Sequence, residues 1–145
     1  MKKLLLSIAL GLLSLNGAAQ TTYEKVMKEK ITKIETCKTA EEFNALANDF
    51  QRISVKETDK WLPNYYTALS HIQKGRVMMR EGKLDQLDET ADNAQKFVDL
   101  AMAVDANNSE IYLLQKMVYS LKMMVNPMER YMKYGMKAGE MLTKA

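Results

Sequence analysis

Apolar residues recur along most of this chain at intervals of three and four, the spacing that places them on one face of an α-helix. Polar stretches with Thr, Asp, Asn, Gly or Pro interrupt the pattern and divide the chain after residue 20 into six amphipathic segments. No segment has the sustained alternation typical of a strand. The pattern therefore predicts an all-α fold of three consecutive antiparallel helical hairpins, stacked as a short α-solenoid.

Helix start signals precede several of these segments. Thr21 to Glu24 and Thr39 to Glu42 each have the spacing of a capping box. Asn107 with Glu110 predicts the start of the fifth helix, and Asn126 followed by proline predicts the start of the sixth. These signals predict where the helices begin without reference to the tertiary fold.

The third segment has the only tryptophan and two adjacent tyrosines, so we expect it to be the centre of the core. Its predicted apolar face consists of Trp61, Tyr65, Ala68, Ile72 and Met79. Asp59 is the natural N-cap, Pro63 is expected in the first turn, and Gly82 is expected to end the helix.

The fourth and sixth segments share a spacing of small and large apolar residues. Ala94, Val98 and Ala101 recur as Ala138, Leu142 and Ala145. The predicted face of the sixth helix is Met128, Tyr131, Gly135, Ala138 and Leu142. This spacing resembles the second helix of a tetratricopeptide repeat, and the stretch from Ala101 to Asn108 resembles the exit turn of that family.

As a whole, the chain resembles the secreted, degenerate tetratricopeptide-repeat-like proteins of Gram-negative bacteria. The resemblance implies a scaffold for protein-protein interaction without catalytic activity. We expect its groove between the Trp61 and Asn108 helices. The candidate partner-binding residues are Tyr65, Tyr66, Tyr112 and Tyr119.

The first 19 residues have the pattern of a secretory signal peptide. Lys2 and Lys3 precede the apolar stretch Leu4 to Leu15, and the small residues Gly17 to Ala19 follow. An uncleaved anchor is the weaker alternative, because no stop-transfer pattern follows. We expect residues 20–145 to form the mature domain, exported to the periplasm or secreted, with no membrane span.

Charge and cysteine content narrow the function classes. The full chain has 21 basic and 18 acidic residues, a net charge of +3. Without the two lysines of the signal peptide, the net charge falls to +1. So little excess positive charge argues against nucleic acid as a partner. Cys37 is the only cysteine, and we expect a small apolar side chain there rather than an interchain disulfide.

Residues with catalytic or metal-binding chemistry are few. His71 is the only histidine and lies off the predicted apolar face of its helix, so we expect it at the surface or at the rim of the core. Four acidic residues lie near the predicted start of the fourth helix, where negative charge commonly stabilises the helix dipole. This ordinary role, rather than a cation-binding site, explains Asp85, Asp88, Glu89 and Asp92. We therefore predict no enzyme activity and no cofactor.

Methionine is the unusual excess, with 12 residues. Met128, Met132 and Met136 follow at four-residue steps, and thioethers are soft ligands suited to copper(I). A periplasmic copper(I) carrier is therefore the alternative function. Flexible packing in cores and binding surfaces is the more ordinary use of methionine.

The sixth helix has a second apolar flank, consisting of Met128, Met132, Met136, Gly139 and Leu142. An apolar flank left in water is unfavourable by about 25 cal/mol per Å². We therefore expect either that these 145 residues are an incomplete form or that the flank is buried in a homo-oligomer through the C-terminal helix.

Overall fold

The structure, a computed structural model, describes residues 22–145, and these residues contain helices and no strand. The all-α prediction is confirmed. The six helices are α1 (22–33), α2 (Ala40–Lys56), α3 (Trp61–Arg80), α4 (Leu87–Val104), α5 (Ser109–Met124) and α6, which consists of the segments Pro127–Arg130, Tyr131–Gly135 and Met136–Lys144. The predicted signal peptide and Thr21 lie outside the described residues.

Three of the predicted starts follow local capping chemistry. At α2, Thr39 Oγ1 accepts from the backbone N–H of Glu42 at 3.2 Å, and Glu42 Oε2 accepts from the backbone N–H of Thr39 at 3.0 Å. This reciprocal pair is the predicted capping box. Asn126 caps α6, with Pro127 as its first residue. The cap of α5 is Asn108, one residue later than the sequence predicts.

The two ends of the central helix, α3, differ in how they are capped. Its N-cap is Lys60 rather than Asp59, and no side chain caps it. Pro63 is the third helical residue, in the first turn as expected. Gly82 ends the helix with φ of +74°, a conformation that favours glycine, while the Lys83 N–H donates to the Met78 carbonyl at 2.9 Å.

The main core lies between α3, α4 and α5. It contains Ala68 and Ile72 from α3, together with the predicted stripe of α4 and the apolar face of α5. Two smaller clusters join α2 to its neighbours: Phe50 packs with Met27 of α1, and Phe43 packs with Val77 of α3. Contacts are densest between α3 and its sequence neighbours α2 and α4, and α3 also touches α5. The Trp61 helix is therefore the central helix, as the sequence predicts.

The C-terminal helix departs from its predicted face. Tyr131–Gly135 forms a π-helical turn, which advances fewer degrees per residue than an α-helix and so changes the orientation of the residues after it. Ala138 is buried, but Leu142 is 54% exposed and Tyr131 is 60% exposed. The prediction that these two side chains face α5 is therefore wrong, as is the same prediction for Met128, which is 93% exposed.

Among residues 22–145, no helix is both long enough and apolar enough to cross a membrane.

Candidate functional site

A groove lies between the C-terminal halves of α3 and α5. These helices are the first members of two successive hairpins, so they run in the same direction. The groove encloses a space of about 130 Å³. Its lining residues are Arg76, Met79, Lys116, Met117, Ser120, Leu121 and Met124.

Gly75 allows the two walls of this groove to approach closely. A Cβ atom at this position would lie 3.0 Å from Cδ1 of Leu121, tighter than an ordinary contact. The absence of a side chain at Gly75 therefore lets Leu121 of α5 pack directly against the backbone of α3. Leu121 is buried and forms the base of the groove.

The apolar part of the groove is rich in sulfur. Met79 of α3 and Met117 and Met124 of α5 are half-buried and pack against the main core. Thioether side chains are flexible and polarizable, so they adapt to flat apolar or aromatic ligands. They are also soft ligands for transition metals. The α3/α5 groove therefore combines adaptable apolar surface with soft sulfur ligands.

Two cations flank the sulfur atoms. Arg76 is exposed, and its guanidinium makes a long hydrogen bond of 3.4 Å to Gln73. Within the described part of the chain, neither Arg76 nor Lys116 forms an ion pair, and no carboxylate lines the groove. Ser120 Oγ donates to the Lys116 carbonyl at 3.0 Å, so its hydroxyl is already partnered. The groove is therefore complementary to a ligand with an apolar body and negative charge at its edge.

The predicted tyrosines do not line this groove. Tyr65 lies edge-on to Trp61 and to Tyr66, and Tyr66 stacks on Phe50 of α2 with ring centroids 5.2 Å apart. Burial and then the neighbouring Glu110 carboxylate raise the pKa of Tyr65 to about 12. These two side chains join helices to one another, and their role toward a partner stays a prediction.

Tyr112 and Tyr119 are both residues of α5 and have other partners. The Tyr112 hydroxyl donates to the Ala106 carbonyl at 2.9 Å, which ties α5 to the loop before it. Tyr119 stacks on Tyr134 of α6, with centroids 6.3 Å apart. The role of these two side chains toward a partner likewise stays a prediction.

His71 differs from its predicted position. It is 8% exposed and stacks on Phe97 of α4, with centroids 5.9 Å apart. The expectation of a surface or rim residue is wrong, because α4 covers the face of α3 that the apolar stripe leaves out. Burial, with a smaller effect from Lys74, lowers the pKa of His71 to about 4. Its Nδ1 has no hydrogen-bond partner among the described residues.

The acidic residues at the start of α4 pair with cations of later helices. Asp88 binds Arg130 of α6, and Asp92 binds Lys122 of α5. Among residues 22–145, no group of three or more His, Cys, Asp or Glu residues could hold a metal ion. Cys37 is half-buried, and burial followed by the Glu42 carboxylate raises the pKa of its thiol.

The sulfur atoms proposed for copper(I) lie on a different surface. Met128, Met132 and Met136 of α6 are all exposed. The π-helical turn lies between the first and the last of them. Copper(I) binding by these residues stays a prediction.

A second apolar groove lies between α1 and α2, with a volume of about 420 Å³. Tyr23, Val26 and Ile53 supply its apolar surface, and Arg52 and Lys56 supply positive charge. The Glu57 carboxylate lies in the same groove and offsets part of that charge, and no sulfur atom lines it. The α3/α5 groove is smaller, but it combines thioether sulfur atoms with positive charge and has no carboxylate.

Comparison with known proteins gives one informative result. Neither a protein-family model nor a curated protein matches this sequence. Among solved structures, the chain is similar to the HusA haemophore from Porphyromonas gingivalis, with 30% sequence identity and a TM-score of 0.72. The similarity covers 83% of this chain and 57% of the HusA chain, so this sequence spans little more than half the length of that structure. The all-helical fold of this chain is therefore similar to that of the HusA haemophore.

The residues of the α3/α5 groove were not selected by the sequence pattern. Arg76 has the position of an ordinary positive charge near a helix C-terminus, and Met79 that of a core residue. The available signal was a cation close to a methionine on both helices, Arg76 with Met79 and Lys116 with Met117. The sequence predicted a groove between these two helices but not which side chains of the two helices meet in it.

Proposed function

We propose that this chain is an exported, non-catalytic carrier that binds haem or a closely related porphyrin in the α3/α5 groove. The observation that supports this most strongly is the similarity to the HusA haemophore, at 30% identity over 83% of the chain. The signal-peptide pattern of residues 1–19 agrees with a carrier that works outside the cytoplasm.

The chemistry of the groove fits such a ligand. A porphyrin is a flat apolar ring with carboxylates on one edge. Met79, Met117 and Met124 supply polarizable apolar surface for the ring, while Arg76 and Lys116 supply positive charge for the carboxylates. The volume of about 130 Å³ is below the roughly 300 Å³ at which pockets begin to enclose a drug-sized molecule. The ring would therefore lie partly outside the groove, an arrangement suited to handing on the cargo.

Titration of the mature protein with ferric haem, followed by the change in haem absorbance, tests the proposal. Reversing both rim charges with Arg76→Glu and Lys116→Glu is expected to weaken binding at least tenfold, because the carboxylate edge then meets like charge. Lys28→Glu with Lys144→Glu is the matched control, since it makes the same change in net charge at two exposed positions outside the groove.

The proposal would be contradicted if the unmodified protein did not bind haem. It would also be contradicted if both double variants weakened binding equally, or if the variant with Arg76→Glu and Lys116→Glu did not weaken binding. Thermal unfolding of each variant checks that the fold is intact. Measuring at two salt concentrations separates a local charge contact from the general effect of net charge, which salt screens over distances of about 10 Å.

A protein-protein interaction module is the second candidate, and one observation favours it. The exposed flank of α6 presents Met128, Met132, Met136 and Leu142 together on the last helix of the described chain. Large exposed apolar side chains are a feature of interaction surfaces. Light scattering on the mature protein tests self-association, and Met132→Lys is expected to abolish any dimer formed through this flank.

A further inference from the structure

The groove between α1 and α2 is separate from the α3/α5 groove and larger. Its volume of about 420 Å³ lies above the roughly 300 Å³ at which pockets begin to enclose a small organic molecule. Tyr23 and Val26 of α1 form one wall, and Ile53 forms the other together with its neighbours on α2. The start of α1 therefore lies beside the end of α2, and the groove runs between them.

The apolar surface of this groove is supported by a small core. Tyr23 and Ile53 are half-buried and pack against the cluster around the buried Phe50. Val26 is half-buried as well. These side chains are held from below, while part of each still contacts water. A ligand that covers them removes apolar surface from water, which is favourable by about 25 cal/mol per Å².

Two cations of α2, Arg52 and Lys56, lie at the edge of this apolar surface. They are four residues apart, so they project from the same face of the helix. Lys56 forms no ion pair within residues 22–145. Arg52 is exposed and makes a long contact of 3.7 Å with Asp49. The other carboxylate oxygen of Asp49 accepts from Lys30 Nζ at 2.7 Å, so this carboxylate is already paired.

The one carboxylate among the lining residues does not cancel the charge of these cations. Glu57 Oε2 accepts from Lys60 Nζ at 2.8 Å. The same ammonium lies 5.0 Å from the centroid of the Tyr23 ring. Glu57 and Lys60 together are neutral, so the groove keeps the positive charge of Arg52 and Lys56.

We propose that the α1/α2 groove binds a single-chain amphiphile with a carboxylate head, that is, a long-chain fatty acid. The chain covers the apolar surface of Tyr23, Val26 and Ile53. The carboxylate lies at Arg52 and Lys56, whose separation of about 6 Å along the helix lets both reach one head group. This site does not depend on haem binding in the α3/α5 groove.

The chemistry of the lining favours this ligand over an extended peptide. A fatty acid needs apolar surface along its length and positive charge at one end, and the groove supplies both. A peptide backbone presents N–H and C=O groups that need hydrogen-bond partners along its whole length. Val26 and Ile53 offer none.

The test follows displacement of the fluorescent fatty acid cis-parinaric acid from the mature protein. Laurate and dodecanol are the competing ligands, because they share a chain and differ in the charge of the head group. Arg52→Glu with Lys56→Glu changes the charge of the groove, and Val26→Ser reduces its apolar surface. Lys28→Glu with Lys144→Glu is the matched charge control outside the groove. Thermal unfolding checks the fold of each variant.

The unmodified protein is expected to bind laurate at least tenfold more tightly than dodecanol. Arg52→Glu with Lys56→Glu should weaken laurate binding at least tenfold and change dodecanol binding by less than about threefold, since the alcohol carries no charge. Val26→Ser should weaken the binding of both ligands. The control variant, and the variant with Arg76→Glu and Lys116→Glu, should bind laurate as the unmodified protein does.

Three results would overturn the inference. The first is that the unmodified protein binds neither cis-parinaric acid nor laurate. The second is that dodecanol binds as tightly as laurate. The third is that laurate binding is lost in the variant with Arg76→Glu and Lys116→Glu and kept in the variant with Arg52→Glu and Lys56→Glu, which would assign the ligand to the α3/α5 groove. Titration of the same variants with haem tests the proposed function separately, so either conclusion can fail while the other stands.

Discussion

Arg130 of α6 and Asp88 of α4 form a two-pronged ion pair that joins the last helix to the middle of the fold. Arg130 Nη1 donates to Asp88 Oδ1 at 2.6 Å and Nη2 donates to Oδ2 at 2.8 Å. Nη1 also donates to the Lys122 carbonyl near the end of α5, at 3.1 Å. One side chain therefore connects three helices, just before the π-helical turn of α6.

Asp88→Asn is expected to loosen α6 because it removes the charge of this pair and one of its parallel hydrogen bonds. The loss of stability should be modest, about 1 kcal/mol, since the Asp88 side chain is partly exposed. Hydrogen exchange of residues 127–144 should accelerate more than that of α3. Glu35→Gln, at an exposed position, is the control and should leave exchange unchanged.

The same pair predicts a pH effect on α6. The hydrogen bond from Arg130, with a smaller coulombic contribution, lowers the pKa of Asp88 in the folded protein. Its contribution to stability is therefore complete above the ordinary aspartate pKa and is lost as the pH falls through the lowered value. Exchange in α6 that is equally fast in Asp88→Asn and in the unmodified protein at neutral pH would refute this role.

We predict that substitutions at Gln95 of α4 and Gln115 of α5 have strongly non-additive effects on the stability of the fold. Each amide nitrogen donates to the other amide oxygen, at 2.7 and 2.6 Å, and Gln115 is buried. Gln95→Leu alone leaves the buried amide of Gln115 without its partner, which should destabilise the fold by about 1–3 kcal/mol. The double change to leucine should recover most of that loss. Chemical denaturation of the two single variants and the double variant measures the coupling, and additive losses would contradict it.

His71 predicts acid destabilisation. The pKa of His71 is about 4 in the fold, below the ordinary value of 6.5, so the unfolded chain binds this proton first. Stability should therefore fall as the pH drops below 6.5 and the effect should level off near pH 4, with a total of about 3 kcal/mol. His71→Gln should remove this part of the pH dependence. Urea midpoints between pH 7 and 4 measure it, and parallel curves for the two proteins would contradict it.

We predict that replacing glycine by alanine has opposite effects on stability at two positions. Gly82 has φ of +74°, where alanine is strained, so Gly82→Ala should destabilise by about 1 kcal/mol. Gly139 lies in α6 with open space around it, and Gly139→Ala should stabilise by up to about 1 kcal/mol through better helix propensity. Thermal unfolding of both variants checks the signs. Equal signs would show that the local conformation does not control either position.

The positions and faces of most helices follow from local chemistry, and the sequence was sufficient to predict them. The capping box at Thr39 and the Asn126-Pro127 start act within one helical turn, so their geometry depends little on the rest of the fold. The buried stripe of α4, including Ala94 and Val98, follows from its three-and-four spacing because burial of one helix face is a periodic property.

A groove between α3 and α5 was expected from the sequence, but the residues that line it could not be found in that way. The groove depends on how closely α3 and α5 approach at Gly75, and these helices are separated in sequence by α4. The burial of His71 depends on α4 covering a second face of α3, which a single apolar stripe does not predict. The exposure of Leu142 follows from a π-helical turn that changes the phase of α6.

The sequence by itself therefore determined which segments are helical, where they start to within about one residue and, in α4, which stripe is buried, since these properties arise from neighbours within a few residues. Only the tertiary structure decided which side chains from different helices meet. It brought Met79 and Arg76 into one groove with Met117 and Lys116, and it stacked Tyr66 on Phe50 and Tyr119 on Tyr134. Contacts between distant segments depend on packing distance and helix rotation, and neither quantity is encoded in the spacing of residues along one helix.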